Sequence, residues 1–173
     1  MIELRFSSED GRTRLWLSSK VVLDMAEASH RAYPHEACGV LVGRYFLPGL
    51  AVATDVLLAK ARFSEDSVTR GQIVFVLDEG EAERLTVELR RLWEAKPRRH
   101  YLGDWHSHTR ENCPHHSELD FQALLERYRE NGRGVLSLVY VQEPFRASSV
   151  GTVWCQQSEN ELVQLFPAPS SKA

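Results

Sequence analysis

The chain opens on an alternation. Ile2-Glu3-Leu4-Arg5-Phe6 sets apolar against polar residues at a period of two, Ser8-Glu9-Asp10-Gly11 turns the chain, and Thr13–Leu17 alternates again. A period of two puts every second side chain on one face of a strand, so this pattern predicts a β-hairpin. From Ser18 or Ser19, either of which can cap a helix, the period lengthens. Val21, Met25, Ala28 and Ala32 then share one helical face as far as Tyr33, where Pro34 ends the helix. Ala37–Phe46 is a strand-like apolar run, with Val52–Phe63 as its partner across Leu47-Pro48-Gly49. Gly39 and Gly43 inside that first run signal close backbone approach, a bulge or a bend.

A polar loop over Ser64–Arg70 leads to a short strand at Ile73–Leu77 and a helix from Glu79 to Ala95. Tyr101–Trp105 is predicted as a short strand that runs out at a group of histidines. Ser117 opens a further helix carrying Leu119, Leu124, Leu125 and Tyr128, which stops before Asn131-Gly132. Three strands follow, at Val135–Gln142, Ser149–Gln156 and Glu161–Phe166. No repeat or composition break divides the chain, so one domain over residues 1–167 and a frayed tail over 168–173 are expected. Strands outnumber helices and are often adjacent in sequence, which predicts an α+β fold with a mixed β-sheet.

Composition narrows the function classes. The 173 residues are 43% hydrophobic and 26% charged, enough for one domain with a real core. A net charge of -3 supplies no cationic surplus for tracking phosphates, so no nucleic-acid partner is expected. The local run Lys96, Arg98, Arg99 reads as a solvated helix end. Cys38, Cys113 and Cys155 match no disulfide framework, no apolar stretch reaches membrane-spanning length, and MIELRFSSEDGRTR lacks a signal-peptide core. A cytoplasmic protein without a membrane partner is the expectation; oligomeric state is not legible.

The chemistry concentrates in GDWHSHTRENCPHHSELD, residues 103–120, which holds four of the seven histidines. His106 and His108 are one residue apart, so in extended chain both imidazoles lie on one side and can converge on an ion. Ser117-Glu118-Leu119-Asp120 has the form of a capping box, in which Ser117 accepts a backbone N–H and Asp120 favours the positive end of the helix dipole. A carboxylate there can also supply a third ligand, and the capping and ligand roles then meet on Asp120. Two histidines, a carboxylate and an open position form the ligand set of a catalytic zinc site. Such a site needs a general base; Glu111 and Glu118 are local candidates. Glu36, which begins an apolar strand, reads by itself as a solvated edge residue. Nothing in spacing alone connects it with His106.

Taken together, three motifs resemble the JAMM, or MPN+, metalloprotease family and its bacterial JAB branch: Glu36-Ala37-Cys38-Gly39-Val40-Leu41-Val42-Gly43, then Trp105-His106-Ser107-His108, then Ser117–Asp120. The resemblance implies a curved mixed sheet flanked by helices, with an MPN/JAB-like, cytidine-deaminase-like core. It implies that His106, His108 and Asp120 bind one zinc ion, that Glu36 is the base that activates water, and that Ser117 hydrogen-bonds the tetrahedral intermediate. It implies hydrolysis of an isopeptide or peptide bond after the C-terminal glycine of a ubiquitin-like protein, in conjugate removal (some bacterial members serve antiviral conjugation systems), precursor processing or the trimming of a sulfur carrier.

The chain departs from the family pattern in two places. Eight residues, Thr109–His116, separate His108 from Ser117 where seven are common, and Thr109 replaces a frequent proline. Strict counting puts His116 at the serine position, but Ser117 keeps the S-x-x-D spacing. Cys113, His115 and His116 lack a recognisable fourth ligand and read as exposed loop residues. Cys38 and Cys155 read as small buried hydrophobes, and Ser107 and Trp105 as structural supports. Selectivity is expected in the loops Ala61–Arg70 and Thr109–His116. The competing readings are a catalytically silent scaffold of the same fold, which needs none of the five site residues, and a two-histidine, one-carboxylate iron oxygenase, which leaves Glu36 unexplained.

Overall fold

A computed structural model describes residues 4–33, 35–47, 49–60, 62–63, 75–76, 79–95, 99–108, 114–141 and 149–168. In chain order the elements are β1 (Leu4–Ser7), β2 (Arg14–Leu17), α1 (Ser19–Ala32), β3 (Cys38–Leu47), β4 (Leu50–Ala59), β5 (Arg62–Phe63), β6 (Phe75–Val76), α2 (Glu79–Ala95), β7 (His100–His108), α3 (Glu118–Asn131), β8 (Val135–Val141), β9 (Ser149–Ser158) and β10 (Glu161–Pro167). The predicted hairpin is present, with Leu4 opposite Leu17 and Ser7 opposite Arg14. The two helices that follow their predicted caps form as expected: Ser18 Oγ accepts the Val21 N–H at 3.4 Å, and Ser117 caps α3. On α1 the buried face is Val21, Met25 and Ser29, with Ala28 and Ala32 only partly buried.

The mixed sheet is not an open curved sheet but a closed barrel in the order β1-β10-β9-β8-β7-β3-β4-β2. Closure comes from β2, which pairs antiparallel with β1 on one side and parallel with β4 on the other, from Arg14 opposite Leu50 to Leu17 opposite Ala53. Register shifts between Leu41 and Val42 against β7, and between Val42 and Gly43 against β4, coil the sheet enough for its edges to meet. At the seam Gly49 has φ +81° and lies against the Arg12 carbonyl, where a Cβ would stand 1.7 Å from that oxygen. No other residue fits there, and closure leaves the barrel without a free edge.

Two strand boundaries also differ from expectation. The strand predicted at Tyr101–Trp105 continues to His108, because parallel pairing with β8 runs on through His106–Val139, Ser107–Tyr140 and His108–Val141. The run predicted at Val52–Phe63 is β4 plus the separate β5, which forms a two-stranded ribbon with β6. Ile2, the loop Ser64–Arg70 and residues 169–173 lie outside the described residues.

Leu15, Leu17, Leu41, Ala53, Trp105, Leu138, Val153 and Leu165 form the core together with Val21 and Met25 of α1. All seven residues of β8 are buried, because α1 packs over one face of that strand and α3 over the other. Arg99, expected on a solvated helix end, is instead mostly buried and donates to Asp55 at 2.6 Å. Among the described residues no helix is long and apolar enough to cross a membrane.

Candidate metal centre

Burial alternates along β7: Trp105 and Ser107 are buried, whereas Asp104, His106 and His108 keep partial exposure on the opposite face. The neighbouring β3 is held close by Gly39, where a Cβ would stand 2.2 Å from the Leu57 carbonyl oxygen and 2.9 Å from Trp105 Nε1. Cys38 pairs with His106 and Gly39 with Trp105. The ladder then runs past the end of β3, because the Ser107 N–H donates to the Ala37 carbonyl at 2.7 Å and the Ala37 N–H donates to Ser107 Oγ at 2.8 Å. Glu36 directly precedes Ala37, so its backbone adjoins the residue tied to Ser107, between the two histidines. The strand end thus brings the backbone that carries the distant glutamate alongside the histidine strand. Cys38 shares the face of His106, its partner in the ladder; burial, then the charges of Asp104 and Glu36, push its thiol up to about 12, so it stays protonated.

Helix α3 brings the carboxylate. Asp120 Oδ2 accepts from the Ser117 N–H at 2.6 Å and from Ser117 Oγ at 2.8 Å, while Oδ1 lies 3.4 Å from His106 Nε2. The capping and ligand roles therefore do not compete: each takes one oxygen. His106 Nε2 and His108 Nε2 stand 2.9 Å apart, and one donor atom from each of His106, His108 and Asp120 lies within 4.8 Å of the other two. Two donors each about 2.0–2.1 Å from a tetrahedral ion would lie roughly 3.3 Å apart. The observed separations of 2.9 and 3.4 Å bracket that spacing, so the three groups can hold a metal ion. Protonation suits the role as well. Burial holds His106 well below its ordinary value, against the upward pull of Asp120, which favours the neutral imidazole with a lone pair to offer. Burial alone would raise Asp120; the positive charge that His106 carries in acid and the two Ser117 hydrogen bonds outweigh it and hold the carboxyl below its ordinary value.

Sequence reasoning missed His116. It is not an exposed loop residue but is buried at 8% exposure, its Nε2 2.8 Å from Ser137 Oγ and its Nδ1 2.8 Å from Thr152 Oγ1. Two hydroxyl residues flanked by apolar positions, Ser137 in VLSLVYV and Thr152 in GTVW, were the available signal, since a buried hydroxyl needs a partner. Ser117, by contrast, is exposed at the helix start. Asp104 accepts from the Tyr101 hydroxyl at 2.8 Å and lies 3.4 Å from Arg127 Nε, which ties the later part of α3 to β7. Glu118 is exposed in the first turn of α3; Glu111 and Cys113 lie outside the described residues. Among the described residues, His106, His108 and Asp120 form the group with metal-binding geometry.

The family model for prokaryotic homologs of the JAB domain matches residues 18–155, which include Glu36, His106, His108, Ser117 and Asp120. Among curated proteins none matches the chain. Of solved structures, the solution structure of protein DSY2949 from Desulfitobacterium hafniense is similar over 88% of both chains, with a TM-score of 0.58 at 18% identity. At that identity the likeness speaks for the fold.

Proposed function

Because the chain belongs to the prokaryotic JAB-domain family, we propose that it is a JAMM-type zinc peptidase acting in the cytoplasm. Its substrate in this reading is the bond after the C-terminal glycine of a ubiquitin-like protein. The observation that carries the proposal is the convergence of His106, His108 and Asp120 on one small volume, with Glu36 next to Ala37, whose backbone is bonded to Ser107 between the two histidines. A scaffold of the same fold has no use for a carboxylate and two imidazoles gathered in this way. Zinc held by the three residues would lower the pKa of a bound water towards neutrality and polarise a substrate carbonyl.

The remaining chemistry belongs to the chain. Glu36 takes a proton from the attacking water as the carbon–oxygen bond forms, and returns it to the amine nitrogen as the carbon–nitrogen bond breaks. Ser117 is exposed beside Asp120, and its hydroxyl can donate to the developing oxyanion. To do so it releases Asp120 Oδ2, which keeps the Ser117 N–H at 2.6 Å and so stays in place. Conjugate removal, precursor processing and trimming of a sulfur carrier differ only in the amine that leaves. No nucleic acid or membrane enters this reading.

Purified protein should contain about one zinc per chain. Glu36→Gln should retain the metal and lose cleavage of a panel of ubiquitin-like C-terminal fusions, whereas His106→Ala should lose both. Iron in place of zinc, or undiminished cleavage by Glu36→Gln, would overturn the proposal.

A further inference from the structure

We propose that His116 is a positioning residue for the metal site: clamped between Ser137 and Thr152, it fixes the turn that presents Asp120 to His106. This rests on the zinc reading above. His116 immediately precedes Ser117, the N-cap of α3, so whatever holds its ring holds the start of that helix. Its hydrogen bonds have one consistent direction. Thr152 Oγ1 donates its only proton to the Pro114 carbonyl at 2.8 Å, so it can only accept from His116, whose Nδ1 must carry the hydrogen. Nε2 is then the acceptor for the Ser137 hydroxyl. The chain of donors runs from Ser137 on β8, through the ring, to Thr152 on β9, and back to Pro114 in the segment that leads into the helix.

The packing agrees. The imidazole stacks on Phe121, in the first turn of α3, at 5.5 Å and 20°, and Phe121 meets Trp154 edge-on at 5.2 Å. It also stands edge-on to the His106 ring at 6.0 Å. Opposite Pro114, β9 has Gly151, where a Cβ would lie 2.7 Å from the Pro114 carbonyl oxygen. The segment is therefore seated on the barrel wall from Pro114 to Ser117.

Two other roles for His116 fail on the same geometry. With both ring nitrogens engaged it is not a ligand, and at 8% exposure it does not face a substrate. Packing alone would be served as well by an apolar ring. A buried polar network fixes direction where an apolar contact does not, and direction is what a carboxylate 3.4 Å from its histidine requires.

The test compares wild type with His116→Phe, which keeps the stacking and loses both hydrogen bonds, and with His116→Gln, which can still donate and accept. Ser137→Ala is the third variant and leaves the ring in place if His116→Phe fails to fold. Zinc affinity is read by competition with a chromophoric chelator, and the imidazole tautomer by nitrogen-15 NMR of the metal-free protein. Loss of a group that orients a metal ligand typically costs about 10–100-fold in affinity. His116→Phe should lose about that much, Ser137→Ala less, and His116→Gln should recover part of it, with wild-type His116 in the Nδ1–H form. Wild-type zinc affinity in folded His116→Phe or Ser137→Ala, or an Nε2–H tautomer, would overturn the inference and leave the zinc reading standing. Wild type that takes up no zinc would sink both.

Discussion

Asp120→Asn separates the two jobs that meet on one side chain. In the native helix start Oδ2 caps through Ser117 and Oδ1 faces His106. Asparagine keeps the shape but has one oxygen and one amide nitrogen. The oxygen goes to the cap, where the Ser117 N–H at 2.6 Å and the Ser117 hydroxyl at 2.8 Å both need an acceptor. The NH2 group is left facing His106 Nε2 as a donor, with no lone pair for a metal. The stability loss is modest. Removing a negative charge from the first turn costs about 0.3–1 kcal/mol, and turning charge-assisted bonds into neutral ones costs about another 1 kcal/mol. A total of about 1–2 kcal/mol lowers the melting temperature of a chain this long by roughly 2–8 °C.

The metal effect is far larger. Groups that only support a ligand are worth about 10–100-fold in affinity, so loss of the ligand itself should cost roughly 100-fold or more. Ser117→Ala is the companion. It removes a cap worth about 0.5–2 kcal/mol and one of the two hydrogen bonds on Oδ2, but leaves the Ser117 N–H on Oδ2 and Oδ1 facing the ion, so zinc affinity should fall only by about tenfold, the low end for a supporting group. Thermal unfolding with excess chelator measures the first quantity and chelator competition the second. Equal zinc affinity in the two variants would refute the division of labour between the oxygens.

Two further outcomes follow from the same contacts. The ring of His116 ordinarily titrates at 6.5 and is held at about 4 in the folded chain. The unfolded state therefore binds more protons between those values, and the contribution of His116 is complete above about pH 6.5 and lost as pH falls to 4. That amounts to roughly 3 kcal/mol at 1.36 kcal/mol per pH unit; urea unfolding of metal-free protein across this range should show wild type losing more stability than His116→Phe, and parallel profiles would contradict it. Ser107→Ala leaves the Ala37 N–H without its acceptor at 2.8 Å and should cost about 1–3 kcal/mol. Because that bond holds the segment carrying Glu36, hydrolysis should fall more than zinc content does; loss of both in proportion would show that Ser107 supports the ligands rather than the base.

Local pattern carried much of this fold because its elements are locally determined. Serine caps, the αL Gly132 after α3 and the period-two hairpin depend on neighbours in sequence, and the structure has them where the periodicity puts them. Barrel closure was not legible, since the pairing of Arg14–Leu17 with Leu50–Ala53 depends on twist accumulated over the whole sheet. The only local trace is Gly49, which reads in sequence as a turn and serves in space as a close approach. The end of β7 was misplaced for a related reason. The histidines are polar and look like a strand terminus, but a strand ends where its ladder ends, and β8 continues to Val141 opposite His108.

The candidate site divides along the same line. The spacing of His106 and His108 states its own geometry, whereas the link to Glu36 is made by Ser107, whose side chain reaches across to the Ala37 backbone. A serine between two histidines carries no sign that it does this. His116 was hidden more deeply. In sequence it sits in a run of loop-like residues, and its burial depends on hydroxyls from two strands that follow it in the chain. The one-residue-longer spacing before Ser117 thus has a physical account that counting could not supply. The additional length does not displace Ser117 from the S-x-x-D cap, because the residue ahead of it is turned into the barrel wall and hydrogen-bonded there. Lengthening or shortening the segment ahead of Pro114 should therefore leave the ligand geometry intact, whereas any change that frees the His116 ring should not.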